Sequence, residues 1–553
     1  MNKHLRYCLI LLGTTYFFFM FGNSILSLTN PDEVFYTLTA KEMVQQHTWT
    51  VPYLFGQPQF EKPILLYWFM RIAFLIFGIT AFAARFIPAF FGMIGVLAVY
   101  AFGVLGFKNE KKAFICALTL ASGGLYIGLA RTVFTDMIFS VFIFLSLLAF
   151  FWGYTRIKHR NFSLILAFIA SGLAVLSKGP LGFFIPFAII TAFLLIRKDI
   201  KYLFCKGTFF GFLLFLLTCL PWYIMMITKY GHSFTHEFFY NDHYRRLIEA
   251  EHAFNDTWYF YPMSIVGCFF PWSVFLLAAL FLRFKNFKLE REKPIYLFSL
   301  SWIIITLCAF QFAHSKLVSY IFPLFAALGI LSGDLIYDLA LKENKAKLFK
   351  ALSLITWSIL AIIPFGLIFA LFKFSDYLSS KTPAYALIVL FVLWLGLLLR
   401  FILKGRYFKA VYAFSCMVPI FFSIIPFVKN DMEPYLSSKV ACEYLMKNYP
   451  VENTILTSKF FLRGTRFYTD HPIAAFSPYG KNYFSPHPIL FLDTDEKTRD
   501  FLDKQRTTYF ILNHNSVDDL ERVGKAYNFK VTLLKVIGNE YLMSAEKIAA
   551  KVK

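Results

Sequence analysis

Six short segments set chemically useful side chains against otherwise apolar sequence. They are Asp32 and Glu33 in NPDEVFY, Glu61 and Lys62 in QFEKPILLYW, Arg131 and Asp136 in ARTVFTDMIF, Lys178 in LSKGPLGFF, Arg245 and Arg246 in HEFFYNDHYRRLIEAEH, and Lys316 with Tyr320 in AHSKLVSYIFP. Charges beside apolar runs are costly unless they are paired, solvated or used. This mixture suits work on an anionic headgroup: a carboxylate can orient or deprotonate a hydroxyl, while Lys and Arg neutralise a phosphate and stabilise charge developing on it. Lys316 and Tyr320, four residues apart, share a helix face, which suits an ammonium and a hydroxyl on one phosphate.

Each segment also has a plainer explanation. Asn30 suits a helix N-cap, Pro31 the first helical position, and Asp32 and Glu33 the positive end of the helix dipole, with Glu33 closing an N-x-x-E box. Lys62 can snorkel to the membrane surface, and Arg131 can serve only as the ion-pair partner of Asp136. Lys178 precedes the Gly179-Pro180 turn, Tyr320 fits an aromatic belt, and Arg245 and Arg246 fit a basic amphipathic stretch touching anionic lipid. His232, His236 and His243 match no strong metal-ligand spacing, so no metal ligand is assigned; a divalent cation remains open.

The elements that position these residues must be mostly membrane-spanning. The chain has 553 residues, of which 58% are hydrophobic and 16% charged, and its mean hydropathy is +0.59. Most of such a chain cannot supply a charged outer surface, so lipid is its solvent. The net charge of +22 then reads as cytoplasmic Lys and Arg fixing topology, with no call for nucleic acid as a partner. The eight cysteines give no disulfide framework and no metal pattern.

Apolar runs recur from Cys8 to Val428. Treating the short run Ile64 to Gly78, with Arg71 in its middle, as an interfacial helix puts the basic clusters from Lys108/Lys111/Lys112 to Lys404/Arg406/Lys409 on the N-terminal side. The pattern predicts a polytopic α-helical membrane protein of about thirteen spans over residues 1–428. Outer loops at 29–83 and 228–257 carry the charged segments, and the N-terminus is cytoplasmic. Residues 429–553 regain charge and turn residues. They predict a small α/β domain outside the cytoplasm, with strands near Thr454 to Leu456, Thr508 to Leu512 and Val531 to Val536, and helices near Ser437 to Asn448 and Thr498 to Lys504.

The ordered motifs resemble a known family: an Asp-Glu pair in the first outer loop, an FEKP-L-YW element, a TD opening a later span, a KGP turn and an SKL-x-x-Y-x-x-P segment. This set is similar to the GT-C glycosyltransferases of the protein O-mannosyltransferase superfamily, in the branch containing the undecaprenyl-phosphate aminoarabinose transferases that modify lipid A. The resemblance runs from about Asp32 to Pro323 and, by architecture, into the tail. It implies inverting transfer of a sugar from a polyprenyl-phosphate donor to a glycolipid such as lipid A or lipopolysaccharide at the periplasmic face of the inner membrane. It further implies that Asp32 activates the acceptor, with Glu33 beside it, and that Asp136 is a second acid. Glu61, Lys62, Arg131, Lys178, Lys316, Tyr320 and Arg245 or Arg246 would line the donor phosphate. The chain departs from the family pattern in VSY, where PTY is usual, and in the NDHYRRLIEAEHAFNDTWYF loop.

Three rival functions have distinct signatures. A protein or polysaccharide acceptor would keep the same site. A transporter or flippase of lipid-linked sugar calls for mid-span charges and paired broken helices, and a sensor would leave Asp32, Lys62 and Asp136 replaceable.

Overall fold

The computed structural model describes residues 3–250, 253–290, 292–341, 345–478 and 489–548. Glu251 and His252 of the 228–257 loop and parts of the 429–553 tail lie outside the described residues. The chain forms two compact units. The first comprises Met1–Asn23, Glu61–Leu66 and Arg85–Ile424, the second Ser24–Phe60, Tyr67–Ala84 and Ile425–Lys553. Most of the first outer loop therefore groups with the tail.

Among the described residues, eight helices are long and apolar enough to cross a membrane, or ten if each of two bent pairs is one span. The count is smaller than the thirteen expected because several apolar runs break into shorter pieces. The run Ala113 to Ala130 folds as Glu110–Ala121 and Gly124–Arg131, bent by 65°, and Trp258 to Leu282 as Phe260–Cys268 and Ser273–Lys285. Leu181–Ile196 is a shorter apolar helix.

The interior of the first unit is closely packed at small residues. A Cβ on Gly333 would lie 2.4 Å from the Cys116 Cα, so helices Glu110–Ala121 and Phe325–Leu341 touch backbone to backbone where only glycine fits. One residue later, the fully buried Asp334 accepts from Lys112 at 2.5 Å, from the Tyr296 hydroxyl at 3.1 Å and from Arg283. Lys112 also reaches Asp338 at 2.8 Å. Two of the cations read as topology signals thus have a second task, satisfying a buried carboxylate shared by four helices.

The second unit holds a two-stranded hairpin, β1 (Tyr53–Leu54) and β2 (Gln57–Pro58), and a six-stranded sheet in the order β5-β4-β3-β6-β8-β7. The strands are β3 (Ile455–Thr457), β4 (Ile473–Phe476), β5 (Phe491–Leu492), β6 (Thr507–Leu512), β7 (Phe529–Ile537) and β8 (Glu540–Lys547). Strands β5, β4, β3 and β6 run parallel, while β8 is antiparallel to β6 and to β7. Helices Leu462–Thr469, Asp495–Leu502 and His514–Tyr527 supply the connections, as parallel pairing requires. Leu456, Phe476, Phe510, Leu512 and Met543 build the core on one side of this sheet. The charge within the short helix Leu65–Phe77 is also accounted for in this unit. The Arg71 guanidinium lies 4.1 Å over the Trp49 ring, and Trp68 donates to the Trp49 carbonyl at 2.5 Å.

Helix Asp32–Gln45 is tied to the tail by several contacts within this unit. The Asn30 amide donates to the Leu436 carbonyl at 2.9 Å and its side chain to the Ser438 hydroxyl at 2.7 Å. Lys41 pairs with Asp470 at 2.9 Å, and Arg466 with Glu42 at 3.2 Å. Asn30 therefore does not cap the helix. The N-cap position is Pro31, without a side-chain capping bond, and Glu33 instead ties the chain just before the helix by accepting from the Thr29 amide at 2.9 Å and the Thr29 hydroxyl at 3.1 Å.

Ser438 bonds onward to Glu540 at 2.8 Å. Burial pushes the Glu540 carboxyl from 4.5 up to about 8, while the Ser438 bond opposes that rise. Below pH 4.5 folded and unfolded chains both hold this proton. Between there and about 8 only the folded chain keeps it, so stability falls as pH rises through that window. A Glu540→Gln change should flatten the pH dependence of the thermal midpoint of the full-length protein between pH values of about 5 and 8.5. An unaltered slope would remove Glu540 as its source.

Candidate active site

In the first unit, charged residues from four separate segments form one continuous chain of contacts. Lys62 Nζ donates to Asp242 Oδ2 at 2.6 Å, and Arg246 Nη2 lies 3.3 Å from the other oxygen of that carboxylate. Arg246 Nη1 donates to the Tyr320 hydroxyl at 2.9 Å. The Lys178 ammonium sits 4.7 Å over the Tyr320 ring and pairs with Asp136. Asp242 and Asp136 are both buried, with side chains 7% and 6% exposed.

Local sequence explains how these groups arrive. Pro63 follows Lys62 and turns the chain into helix Leu65–Phe77. A π-helical stretch, His236–Tyr244, runs into Arg245–Ile248 and places Asp242 and Arg246 one turn apart on one face. Asp136 lies in the first turn of Thr135–Thr155, where the helix dipole favours a carboxylate. Lys178 ends helix Arg160–Lys178, and Gly179 caps it at φ +108°. A Cβ there would stand 2.4 Å from His243 Nε2, so this turn requires glycine to pack against the π-helical stretch. His243 Nδ1 is 2.6 Å from the Phe238 carbonyl, which accepts from it.

Other expected residues lie apart from this chain of contacts. Lys316 pairs with Asp256, which also bonds His314 at 2.7 Å. The Lys316 hydrogen bond, followed by that of His314, holds the Asp256 carboxyl below its usual range. The Ser315 amide nevertheless bonds the Arg246 carbonyl at 3.1 Å, which brings this strand of chain beside the cluster. Arg245 forms a surface pair with Glu249 at 2.7 Å, an arrangement that contributes little. Arg131 does not pair with Asp136. Its helix ends there, and its guanidinium donates to the carbonyls of Phe18 at 3.1 Å and Phe21 at 2.9 Å. Glu61 is half-buried next to Lys62.

Asp242 is the member of the cluster that sequence reasoning missed. Its signal was present in NDHYRR: an acid four residues before an arginine in an amphipathic stretch.

Asp32 and Glu33 belong to the second unit. Asp32 opens its helix with a side chain 61% exposed, and Arg463 stands 3.7 Å from its carboxylate. Arg463 also donates to the Pro31 carbonyl at 3.3 Å and lies 4.7 Å over the Phe35 ring. Asp32 is thus an accessible carboxylate beside a fixed cation, whereas Glu33 is buried and committed to Thr29. Among the described residues no group of three His, Cys, Asp or Glu side chains converges as a metal-ligand set.

Residues 6–236 match the family model described as dolichyl-phosphate-mannose-protein mannosyltransferase. An undecaprenyl phosphate-alpha-4-amino-4-deoxy-L-arabinose arabinosyl transferase of Photorhabdus laumondii is 28% identical over 389 residues, covering 69% of each chain. An uncharacterized protein of Aquifex aeolicus is 30% identical over 448 residues, covering 80% of this chain and 83% of its own. The crystal structure of ArnT from Cupriavidus metallidurans bound to undecaprenyl phosphate superposes with a TM-score of 0.79 at 17% identity, covering 99% of this chain and 98% of that one. The fold is therefore that of ArnT, and the chain is a multi-pass membrane glycosyltransferase belonging to the dolichyl-phosphate-mannose-protein mannosyltransferase family, of GT-C type.

Proposed function

We propose that this enzyme transfers 4-amino-4-deoxy-L-arabinose from undecaprenyl phosphate to a glycolipid of the lipid A type, at the periplasmic face of the inner membrane. On this reading the N-terminus is cytoplasmic, residues 1–428 carry the spans, and residues 429–553 form a periplasmic domain. The observation that carries the proposal is the cluster of Lys62, Asp242, Arg246, Tyr320, Lys178 and Asp136. Its three cations against two carboxylates leave one positive charge (3 − 2 = +1). A donor phosphodiester carries one negative charge and would neutralise it. Tyr320 accepts from Arg246 and so ties its hydroxyl to the cations of the cluster.

In the transfer, an acceptor oxygen bonds to the anomeric carbon from the face opposite the carrier, and the bond from that carbon to the phosphate oxygen breaks. The carrier leaves as a phosphate monoester with an added negative charge. Cations already oriented by buried carboxylates stabilise this charge as it develops. If the nucleophile is a hydroxyl, its proton passes to the Asp32 carboxylate; if it is a phosphate, Asp32 stabilises positive charge on the sugar ring.

The test is transfer by the purified full-length protein, given undecaprenyl-phosphate aminoarabinose and lipid A in detergent. The expected result is lipid A heavier by one aminopentose, with undecaprenyl phosphate released in equal amount. Donor hydrolysis without a modified acceptor would refute the acceptor assignment.

A further inference from the structure

A cavity of about 770 Å³ lies within the second unit. Its lining is chemically split. Phe77, Ile79 and Phe82 contribute apolar surface, Lys41, Lys429 and Lys439 contribute ammonium groups, and Asp470 contributes one carboxylate, leaving the cations in excess. The apolar residues lie where the short helix Leu65–Phe77 passes into the candidate span Ala81–Phe107, so that lining belongs to the membrane boundary.

The three lysines differ in how firmly they are held. Lys41 is buried, and its Nζ donates to the Phe467 carbonyl at 2.7 Å and to Asp470 at 2.9 Å, which fixes one cation in the wall. Lys429 stands 3.9 Å from Glu433 and Lys439 stands 3.8 Å from Glu443, and both lysine side chains are 37% exposed. Those separations are beyond hydrogen-bond reach, so both pairings are weak beside the short charge-assisted bonds a phosphate would offer. Glu433 is already committed elsewhere, to the amide of Ser27 at 2.9 Å and to its hydroxyl.

We infer that this cavity binds the phosphorylated headgroup of an acylated glycolipid. The phosphate would sit on Lys429 and Lys439 against the Lys41 wall, and the start of the acyl chains against Phe77, Ile79 and Phe82. The inference rests on the reading of the acceptor as a glycolipid. Lys41 follows Asp32 by nine residues in one helix, about 13 Å along its axis. On this reading the phosphate held beside Lys41 is a different headgroup group from the one that receives the sugar, and the cavity fixes the acceptor's orientation.

Binding is measured on the full-length protein in detergent, without turnover, for four probes: lipid A, dephosphorylated lipid A, inorganic phosphate and undecaprenyl phosphate. A Lys429→Gln/Lys439→Gln protein should lose about tenfold or more in affinity for lipid A and nothing for undecaprenyl phosphate. A Lys429→Arg/Lys439→Arg protein should stay close to the parent. Unchanged lipid A affinity in the Gln protein, or an equal loss for dephosphorylated lipid A, overturns the site. Inorganic phosphate binding as tightly as lipid A, through the same lysines, would make it a free-anion site and overturn the lipid assignment. Because the readout is binding, absent transfer to lipid A would fail the functional reading alone, and normal transfer with lysine-independent binding would fail the cavity alone.

Discussion

An Asp32→Asn protein should fold, insert and accumulate normally, yet transfer sugar roughly 10²- to 10⁴-fold more slowly, the usual contribution of a positioned acid or base. The structure gives the reason for the first half of that expectation. Asp32 makes no capping bond: the N-cap position is Pro31, and the chain entering the helix is held by Thr29 donating to Glu33. Its pair with Arg463 is long, at 3.7 Å, and the carboxylate is 61% exposed. Loss of such a pair costs at most about 1 kcal/mol, and loss of a charge at the helix start a similar amount. The catalytic roles, in contrast, need a negative oxygen that the isosteric amide lacks. Transfer rate and thermal midpoint measured on the same preparation separate the two effects. Near-normal turnover would return Asp32 to the helix end as a structural residue.

The second large effect is expected at Lys62. Replacing it with Ala removes one of the three cations of the cluster and cancels its single excess charge. The site is partly desolvated, with the Lys62 side chain 12% exposed and Asp242 7%. Removing one member of such a charged contact costs about 2–5 kcal/mol, which is roughly 30-fold to a few thousand-fold in affinity. Affinity of the purified protein for undecaprenyl phosphate should fall by that factor, and a Lys62→Arg protein should recover part of it. The variant's Asp242 keeps Arg246 at 3.3 Å, so the buried carboxylate is not stranded and the cluster should stay folded. Affinity equal to that of the parent would reject Lys62 as a phosphate contact.

Much of this cluster is legible in the sequence because each member is anomalous where it stands. Lys62, Asp136, Lys178 and Arg246 interrupt or border apolar runs, and the cost of charge in such places is what singles them out, while Tyr320 is found through its spacing from Lys316. Their partners are not legible. Arg131 and Asp136 are five residues apart and look like a pair, but the helix ends at Arg131 and the next begins at Thr135. That break sends the guanidinium to the Phe18 and Phe21 carbonyls and leaves Asp136 to Lys178, a residue far away in sequence. Hydropathy alone also overcounts spans, since it cannot see the bend between Ala121 and Gly124.

In the tail, strands rich in β-branched and aromatic residues, such as Thr507–Leu512 and Phe529–Ile537, announce themselves. Ile473–Phe476 does not, because two of its four residues are alanine, and its place in the sheet comes from parallel neighbours. Pairing of that kind is non-local and leaves no mark on short-range pattern. The same limit hides the bonds that tie Asn30 to Leu436 and Ser438, which group the first outer loop with the tail.

The most direct test of the central claim is mass spectrometry of lipid A from the parent strain, from one lacking this gene, and from one carrying the Asp32→Asn form. Aminoarabinose-bearing lipid A should be present in the parent and absent from the other two. Identical lipid A in all three strains, with a sugar missing instead from a surface polysaccharide or a protein, would contradict it.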